Sequence, residues 1–180
     1  WCLWLGDCPP AELRAMPESM KRVQAVKALR LASKSPPTQK LADTPTRFHV
    51  ENIPNTPYLL LPEVSSERRA FIPFGFEQPE TLCSNLVKIA PGATLFHFGV
   101  LTSTMHNAWV RAVCGRLESR YRYSKDIVYN NFPWPDLPQK SEPNQPLAPA
   151  SQAQAAIETA AKAVLDARAQ FPTSSLADLY

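Results

Sequence analysis

Glycine is scarce in this chain, and the common signatures of an active site are missing from it. Only 5 of its 180 residues are glycine, which leaves little material for a loop that cradles a phosphate or a nucleoside. The nucleophile elbow Gly-x-Ser-x-Gly, the zinc motif His-Glu-x-x-His and the P-loop are also absent from the sequence. We therefore expect no catalytic residues in this chain and do not expect it to be an enzyme.

Cysteine and histidine are too scattered in the sequence to form a metal site. The 4 cysteines never form a Cys-x-x-Cys pair, and the 3 histidines do not stand at ligand spacing from cysteine or carboxylate residues. The sequence also lacks a signal peptide and any apolar run of the roughly 18 residues that a membrane span needs. These absences predict an intracellular protein without a metal ion.

Proline, in contrast, is abundant, and the charge of the chain is nearly balanced. The 19 prolines are about twice the usual share and predict many loops and extended segments. The net charge is only +3, so evidence for nucleic-acid binding has to come from local clusters of Lys and Arg. The 44% hydrophobic content is enough for one packed domain with a short appendage.

Short apolar segments and helical stripes together predict an α+β fold, with a mixed, largely antiparallel sheet and packed helices. Helices are predicted from Pro17 to near Ser33, from Ser103 toward Leu117, and from Ser151 to about Gln170. The predicted strands are residues 1–5, 58–61, 70–74, 86–89, 94–98 and 120–129. A domain at 1–137, a linker at 138–150 and the start of a helical region at 151–180 follow from this pattern. Both ends look cut, which suggests a piece of a longer protein.

The most informative charges lie between residues 111 and 125. On an extended segment Glu118, Arg120 and Arg122 share one face. Arginine can donate two hydrogen bonds to guanine, and glutamate can accept one from cytosine N4, so such a face suits base readout in a major groove. Charge alone nevertheless favours a solvated strand face with local salt bridges. A second cluster, residues 65–69, suits phosphate oxygens, although alone it is typical of an ordinary turn.

Two other functions remain open on the residues alone. Asn131-Phe132-Pro133-Trp134 has a composition similar to the Asn-Pro-Pro-aromatic motif with which amino-methyltransferases hold a flipped base. It lacks the Pro-Pro dipeptide, so a complete small methyltransferase is the weaker alternative. The other alternative is a protein-interaction module that docks a partner through Met105 and Trp109, although such a stripe is far more often part of a core.

Six segments of the sequence together form a long and specific set of motifs: residues 1–5, 61–73, 97–109, 114–117, 121–124 and 129–135. This set closely resembles the target-recognition region of MmeI-like DNA methyltransferases and fused restriction–modification enzymes. The resemblance extends over nearly the whole chain to residue 135, and the tail at 174–180 resembles the start of that family's C-terminal helical region.

The resemblance implies that residues 1–137 are a DNA target-recognition domain of a larger, type IIG/IIL-like adenine-N6 methyltransferase, with or without a fused endonuclease. Its implied partners are double-stranded DNA and an upstream methyltransferase domain of the same chain, with no membrane. S-adenosylmethionine is the cofactor of the parent protein, and this fragment is expected to hold none. The implied location is the cytoplasm of a bacterial-type cell.

In the family that this sequence resembles, residues at three places contact the bases, and these places lie far apart in this sequence. They match Glu63, then Asn85 and Leu86, and then Glu118 and Arg120 with Arg122 close by. Leu86 is apolar and could contact only a thymine methyl group or leave room for a base. The side chains expected to contact phosphate or to support the site are Ser65, Ser66, Arg68, Arg69, Arg116 and Tyr123.

Overall fold

The structure, a computed structural model, describes residues 3–51, 53–135 and 149–180. The chain divides into two compact units, Trp1–Asn52 and Ile53–Tyr180. Most of the predicted linker at 138–150 lies outside the described residues, as do the first two residues of the predicted strand at 1–5. The remaining part of that strand, residues 3–5, has no strand partner, so this prediction is wrong for the described residues.

The first unit is built from short helices, each of which has a proline in its first turn. They are α1 (Pro10–Arg14), α2 (Pro17–Leu31) and α3 (Pro36–Lys40), followed by a 3-10 turn at Leu41–Asp43. Proline lacks the N–H that a first turn leaves unpaired, which explains its position. The predicted start of α2 is confirmed, and its observed end lies close to the predicted one.

The loop that follows these helices is held by hydrogen bonds from Arg30 and not by a deep hydrophobic core. The Arg30 guanidinium donates to the carbonyl oxygens of Leu41 at 2.8 Å, Thr44 at 2.9 Å and Arg47 at 2.7 Å. Val23 is the buried residue of α2, whereas Leu29 on the same helix is 75% exposed. The small unit therefore depends on charge-assisted hydrogen bonds to carbonyl oxygens.

The second unit contains two antiparallel sheets of three strands each. The strands are β1 (Tyr58–Pro62), β2 (Val64–Ser65), β3 (Gly75–Glu77), β4 (Val87–Pro91), β5 (Gly115–Leu117) and β6 (Arg120–Arg122). The sheet orders are β3-β1-β4 and β2-β6-β5. This arrangement confirms the predicted α+β class, and β1 and β4 confirm the strands predicted at 58–61 and 86–89.

Three helices pack with these sheets. Helix α4 spans Leu95–Thr102, α5 spans Thr104–Val113 and α6 spans Pro149–Ala169. Ser103 caps α5, since its hydroxyl accepts a hydrogen bond from the His106 N–H at 3.1 Å. The capped start of α5 is as predicted, although α5 already ends at Val113. The Ala-rich helix near the end of the chain is also confirmed, but it begins at Pro149, so its predicted start at Ser151 is two residues late.

The strand predicted at 94–98 is wrong, because these residues begin α4. Thr94 and His97 form a reciprocal capping box, in which the His97 Nδ1 accepts the Thr94 N–H at 3.1 Å. Helix α4 is buried on several sides, with Phe96, Phe98 and Val100 all inaccessible. Its apolar run consequently shows no helical period, which is why it resembles a buried strand.

The strand predicted at 70–74 is also wrong, and the predicted strand at 120–129 is much shorter than expected. The Ile72 N–H donates to the side-chain oxygen of Asn107 at 2.9 Å instead of to a neighbouring strand. Residues Lys125–Tyr129 form a turn of π-helix that Ser124 caps, since its hydroxyl accepts the Ile127 N–H at 3.1 Å.

The main core lies between the sheets and the helices of the second unit. Trp109 and Val113 of α5 pack against this core, whereas Met105, the other residue of the stripe considered for partner docking, is 68% exposed. The largest of the inaccessible core side chains are Leu59, Phe74, Phe98, Leu101, Val110, Tyr123 and Val128.

The part of the chain that the structure describes contains neither a membrane-spanning helix nor a cluster of metal ligands. None of the helices described is long and apolar enough to cross a membrane. Within the same residues, no group of three or more His, Cys, Asp or Glu side chains could hold a metal ion.

Candidate nucleic-acid interface

Glu63 lies at the junction of the two sheets and joins the three predicted base-reading places. The chain runs from β1 in the first sheet to β2 in the second and bends at Glu63. Its N–H donates to the Leu86 carbonyl oxygen at 2.9 Å, and its own carbonyl oxygen accepts the Tyr123 N–H at 2.8 Å. Segments that are far apart in the sequence therefore lie side by side, held by main-chain hydrogen bonds.

The second place, Asn85 and Leu86, forms the turn that leads into β4. Both residues are exposed, and Leu86 has 58% of its surface accessible. Ser84 shapes the turn, since its hydroxyl accepts the Leu86 N–H at 3.3 Å and its carbonyl oxygen accepts the Val87 N–H at 3.2 Å. The Asn85 amide, with no hydrogen-bond partner among the described residues, is available to a ligand.

The third place is a hairpin formed by β5 and β6. Leu117 pairs with Arg120, so Glu118 and Ser119 form the connecting turn. The sequence predicted an extended Glu118 on the face of Arg120 and Arg122; this is wrong, since Glu118 is in the turn with a φ of 58°. Its carboxylate still reaches the Arg120 guanidinium at 2.7 Å.

Arg120 and Arg122 project from one side of β6, whereas Tyr121 between them is buried. Within the described residues, the Arg122 guanidinium makes no hydrogen bond or ion pair. Glu118 and Arg120 are both exposed, so water or a ligand can replace their contact at little cost. This face of the hairpin therefore presents donors and an acceptor that are not committed to the fold.

Arg116 lies on the opposite side of the hairpin and supports its turn. Its guanidinium stacks on the Tyr121 ring at 4.1 Å from the ring centre and donates to the Ser119 carbonyl oxygen at 3.0 Å. The stacking and the hydrogen bond together fix the turn that carries Glu118. Of the two roles expected for Arg116, these contacts favour support over phosphate binding.

The Ser66–Arg69 turn lies beside the same hairpin. Its main chain is closed by a hydrogen bond from the Arg69 N–H to the Ser66 carbonyl oxygen at 3.2 Å. The pKa of Glu67 is lowered, first by its own main-chain N–H, then by the Ser119 side chain and the charges of Arg68 and Arg116, while desolvation opposes the shift. Ser66 and Arg68 remain accessible at this edge.

Three other side chains predicted to contact phosphate or support the site are buried or hydrogen-bonded within the protein. Ser65 is 2% exposed and Tyr123 is 1% exposed, so neither side chain can reach a phosphate in this structure. Arg69 donates to the carbonyl oxygens of Ala177 and Tyr180, both at 3.3 Å. Their burial and contacts favour the supporting role for all three.

His106 and Asn107 support the site from α5, and no local pattern in the sequence predicts a role for either. The His106 Nε2 is 3.0 Å from the Tyr123 hydroxyl, and its Nδ1 is buried without a partner among the described residues. Burial lowers the pKa of His106 to about 4, so the ring is neutral at pH 7. Burial also raises the pKa of Tyr123. The contacts of His106 with Tyr123 and of Asn107 with Ile72 join residues that are distant in sequence, so the periodicity of the sequence cannot reveal them.

The segment Asn131–Trp134, considered above as a methyltransferase motif, is engaged in packing. The Asn131 side-chain nitrogen donates to the carbonyl oxygens of Asp126 at 2.7 Å and Ile127 at 3.2 Å. Phe132 is buried, and the Trp134 indole N–H donates to the Tyr129 carbonyl oxygen at 3.2 Å. Its amide and aromatic groups thus serve the turn and the core.

These features define an α+β module that gathers exposed polar side chains from three distant segments along one line of main-chain hydrogen bonds. The chain belongs to the MmeI family, matching the model of the MmeI target recognition domain over residues 1–136 and the model of the MmeI C-terminal domain over residues 149–180.

Two known proteins show the extent of this similarity. DNA methyltransferase A of Bacillus subtilis (strain 168) is 38% identical over 137 residues, which make up 76% of this chain and 16% of that protein. A solved structure of the type IIL restriction–modification enzyme MmeI in complex with DNA is 47% identical, with a TM-score of 0.85. That match covers 100% of this chain and 22% of the MmeI chain. The chain thus spans less than a quarter of either relative.

Proposed function

We propose that this chain is the module of a larger DNA methyltransferase that recognises a specific sequence in double-stranded DNA. The family membership supports this function, as does the similarity to an enzyme solved in complex with DNA. The observation that carries the proposal is the pair of main-chain hydrogen bonds of Glu63, which brings its segment together with those of Leu86 and Arg122.

In this proposal the solvent-accessible side chains of the three segments read the edges of bases. Arg120 and Arg122 donate to guanine O6 and N7, and Glu118 and Glu63 accept from cytosine N4. The Asn85 amide can both donate and accept, which suits adenine. Leu86 contacts a thymine methyl group or leaves space for a base.

Phosphate contacts then position the module without reading sequence. Ser66 and Arg68 lie in an accessible turn beside the hairpin and have the donors that phosphate oxygens require. The surface is supported by four further side chains, those of Ser65, Arg69, Arg116 and Tyr123.

The parent protein, in this proposal, methylates adenine N6 with S-adenosylmethionine in an upstream domain of the same chain, and an endonuclease can be fused to it. Residues 1–137 are its recognition domain, 138–150 its linker and 151–180 the start of a helical region. Because restriction and modification act on cellular DNA, the proposed location is the bacterial cytoplasm.

Fluorescence anisotropy with labelled duplex DNA tests the proposal on the chain as it is. We expect weak binding that falls steeply with salt, because phosphate contacts release counterions. Absence of binding even at low salt would contradict the proposal and favour a protein-interaction module. Calorimetry with S-adenosylmethionine should show no binding, and measurable binding would instead support a complete small methyltransferase.

A further inference from the structure

Lys88 forms an ion pair with Glu63 across two strands of the first sheet. Lys88 pairs in register with Leu61, so it is the diagonal neighbour of Glu63, which lies two residues further along. Its Nζ is 3.5 Å from the Glu63 Oε2. The Glu63 side chain is 17% exposed and that of Lys88 42% exposed, so both remain accessible from outside.

The ion pair is unusual for this unit and contributes little to folding. In the described part of Ile53–Tyr180, the other ion pairs join residues at most four apart. A partly exposed pair of this kind adds at most a small increment of stability. The two charged groups can therefore exchange this contact for one with a ligand at little cost.

A carboxylate alone is poorly suited to a surface that faces DNA. The phosphates repel it, and the loss of water on binding disfavours its charge. A neighbouring ammonium group offsets both effects and adds a donor on a flexible four-carbon stem. Glu63 and Lys88 together thus present one acceptor and one donor side by side.

The major-groove edge of a G·C pair is complementary to this arrangement. It displays the guanine N7 and O6 acceptors next to the cytosine N4 donor. An A·T pair places its donor between two acceptors and ends in the thymine methyl group. The carboxylate would then meet the thymine O4 acceptor, which repels it, instead of a donor.

We propose that Lys88 is a further specificity-determining residue, which donates to guanine while Glu63 accepts from cytosine of the same G·C pair. The proposal rests on the DNA-recognition function proposed above. It assigns a base contact to a strand residue outside the three segments that the family resemblance indicated.

Selection from a pool of randomised duplexes with the 180-residue chain identifies the bound motif, and duplexes with single base-pair substitutions then measure discrimination at each position. The variants are Glu63→Ala, Lys88→Met, which keeps the length of the side chain, and Lys88→Arg, which keeps the charge. Lys162→Ala is the matched control, because Lys162 forms an exposed pair with Asp166 on α6. Circular dichroism verifies that each variant is folded.

We expect Lys88→Met and Glu63→Ala to lose about tenfold discrimination at the same G·C pair, with Lys88→Arg retaining most of it and Lys162→Ala all of it. The two losses should be less than additive in the double variant. An equal loss of affinity for all duplexes in Lys88→Met would identify a phosphate contact and overturn the proposal, as would an unchanged motif. A wild-type chain that binds duplexes without enriching a motif would refute the recognition function itself, and with it this inference.

Discussion

The Glu63 carbonyl oxygen accepts a hydrogen bond from the Tyr123 main-chain N–H at 2.8 Å. The pairing continues with Val64 opposite Arg122, so the β5–β6 hairpin is attached to the strand that carries Glu63. These bonds use only main-chain atoms. Side chains at the proposed reading positions can therefore be exchanged without breaking the connection between the segments, which explains how one fold could serve different target sequences.

Replacing Arg120 with alanine should relax specificity at one base pair. The variant loses a two-donor contact to guanine that is worth roughly 1–3 kcal/mol, while the buried Tyr121 keeps the strand in place. Binding isotherms with duplexes substituted at each position measure the effect. Arg14→Ala, an exposed arginine of the first unit, serves as control. A uniform loss of affinity across all target sequences would instead identify Arg120 as a phosphate contact.

Substitutions of Glu118 should separate recognition from stability. Its φ of 58° is in the left-handed region, which favours glycine over alanine by roughly 1 kcal/mol. We expect Glu118→Gly to have a higher free energy of unfolding than Glu118→Ala by about that amount, while both lose the preference for cytosine at the contacted position. Urea unfolding and binding to substituted duplexes provide the two readouts. Equal stability of the two variants would contradict the strained turn.

The stability of the chain should fall as the pH drops from about 6.5 toward 4. The His106 ring lies among Phe74, Tyr123 and Phe132, and its pKa is lowered to about 4 by burial. Between these values the unfolded state binds a proton that the folded state does not, so acid favours unfolding, by roughly 3 kcal/mol at pH 4. Urea unfolding at several pH values measures the slope. A His106→Gln variant should lose this part of the slope, and an unchanged slope would assign it to other groups.

Adding a side chain at Gly99 should disrupt the packing of α4 against α6. A Cβ there would lie 2.7 Å from the Ile157 Cγ2 and 3.0 Å from the Ile157 carbonyl oxygen. We expect Gly99→Val to lower the free energy of unfolding by about 1–3 kcal/mol or more, because the backbone of α6 has to move. Gly115→Ala is the control, since its Cβ would have only the Arg122 Cβ nearby, at 4.0 Å. Equal thermal midpoints of the two variants would contradict the close helix contact.

The elements that could be predicted from the sequence are those with clear local signals. Pro17 and Ser103 mark helix starts because their backbone and side-chain chemistry acts within one turn. The α+β class and the strand at β1 followed from similar short-range patterns. The error at 94–98 has a physical cause, since a helix buried on several sides has no polar face to reveal its period.

The candidate site was predictable in composition but not in geometry. The charges of Arg120 and Arg122 could be located from the sequence, whereas the turn at Glu118 and the burial of Tyr123 depend on pairing with distant strands. The contact of Lys88 with Glu63 likewise arises only when β1 and β4 are in register. Which side chains meet is thus decided by long-range hydrogen bonds that leave no local pattern.

The central claim is that segments joined at Glu63 read one short stretch of duplex DNA, and selection from randomised duplexes tests it most directly. The wild-type chain should enrich a single motif. Glu63→Ala, Asn85→Ala and Arg120→Ala should each lose preference at a different base pair within one turn of the helix. Enrichment of no motif, or a motif that none of the three variants alters, would contradict the account.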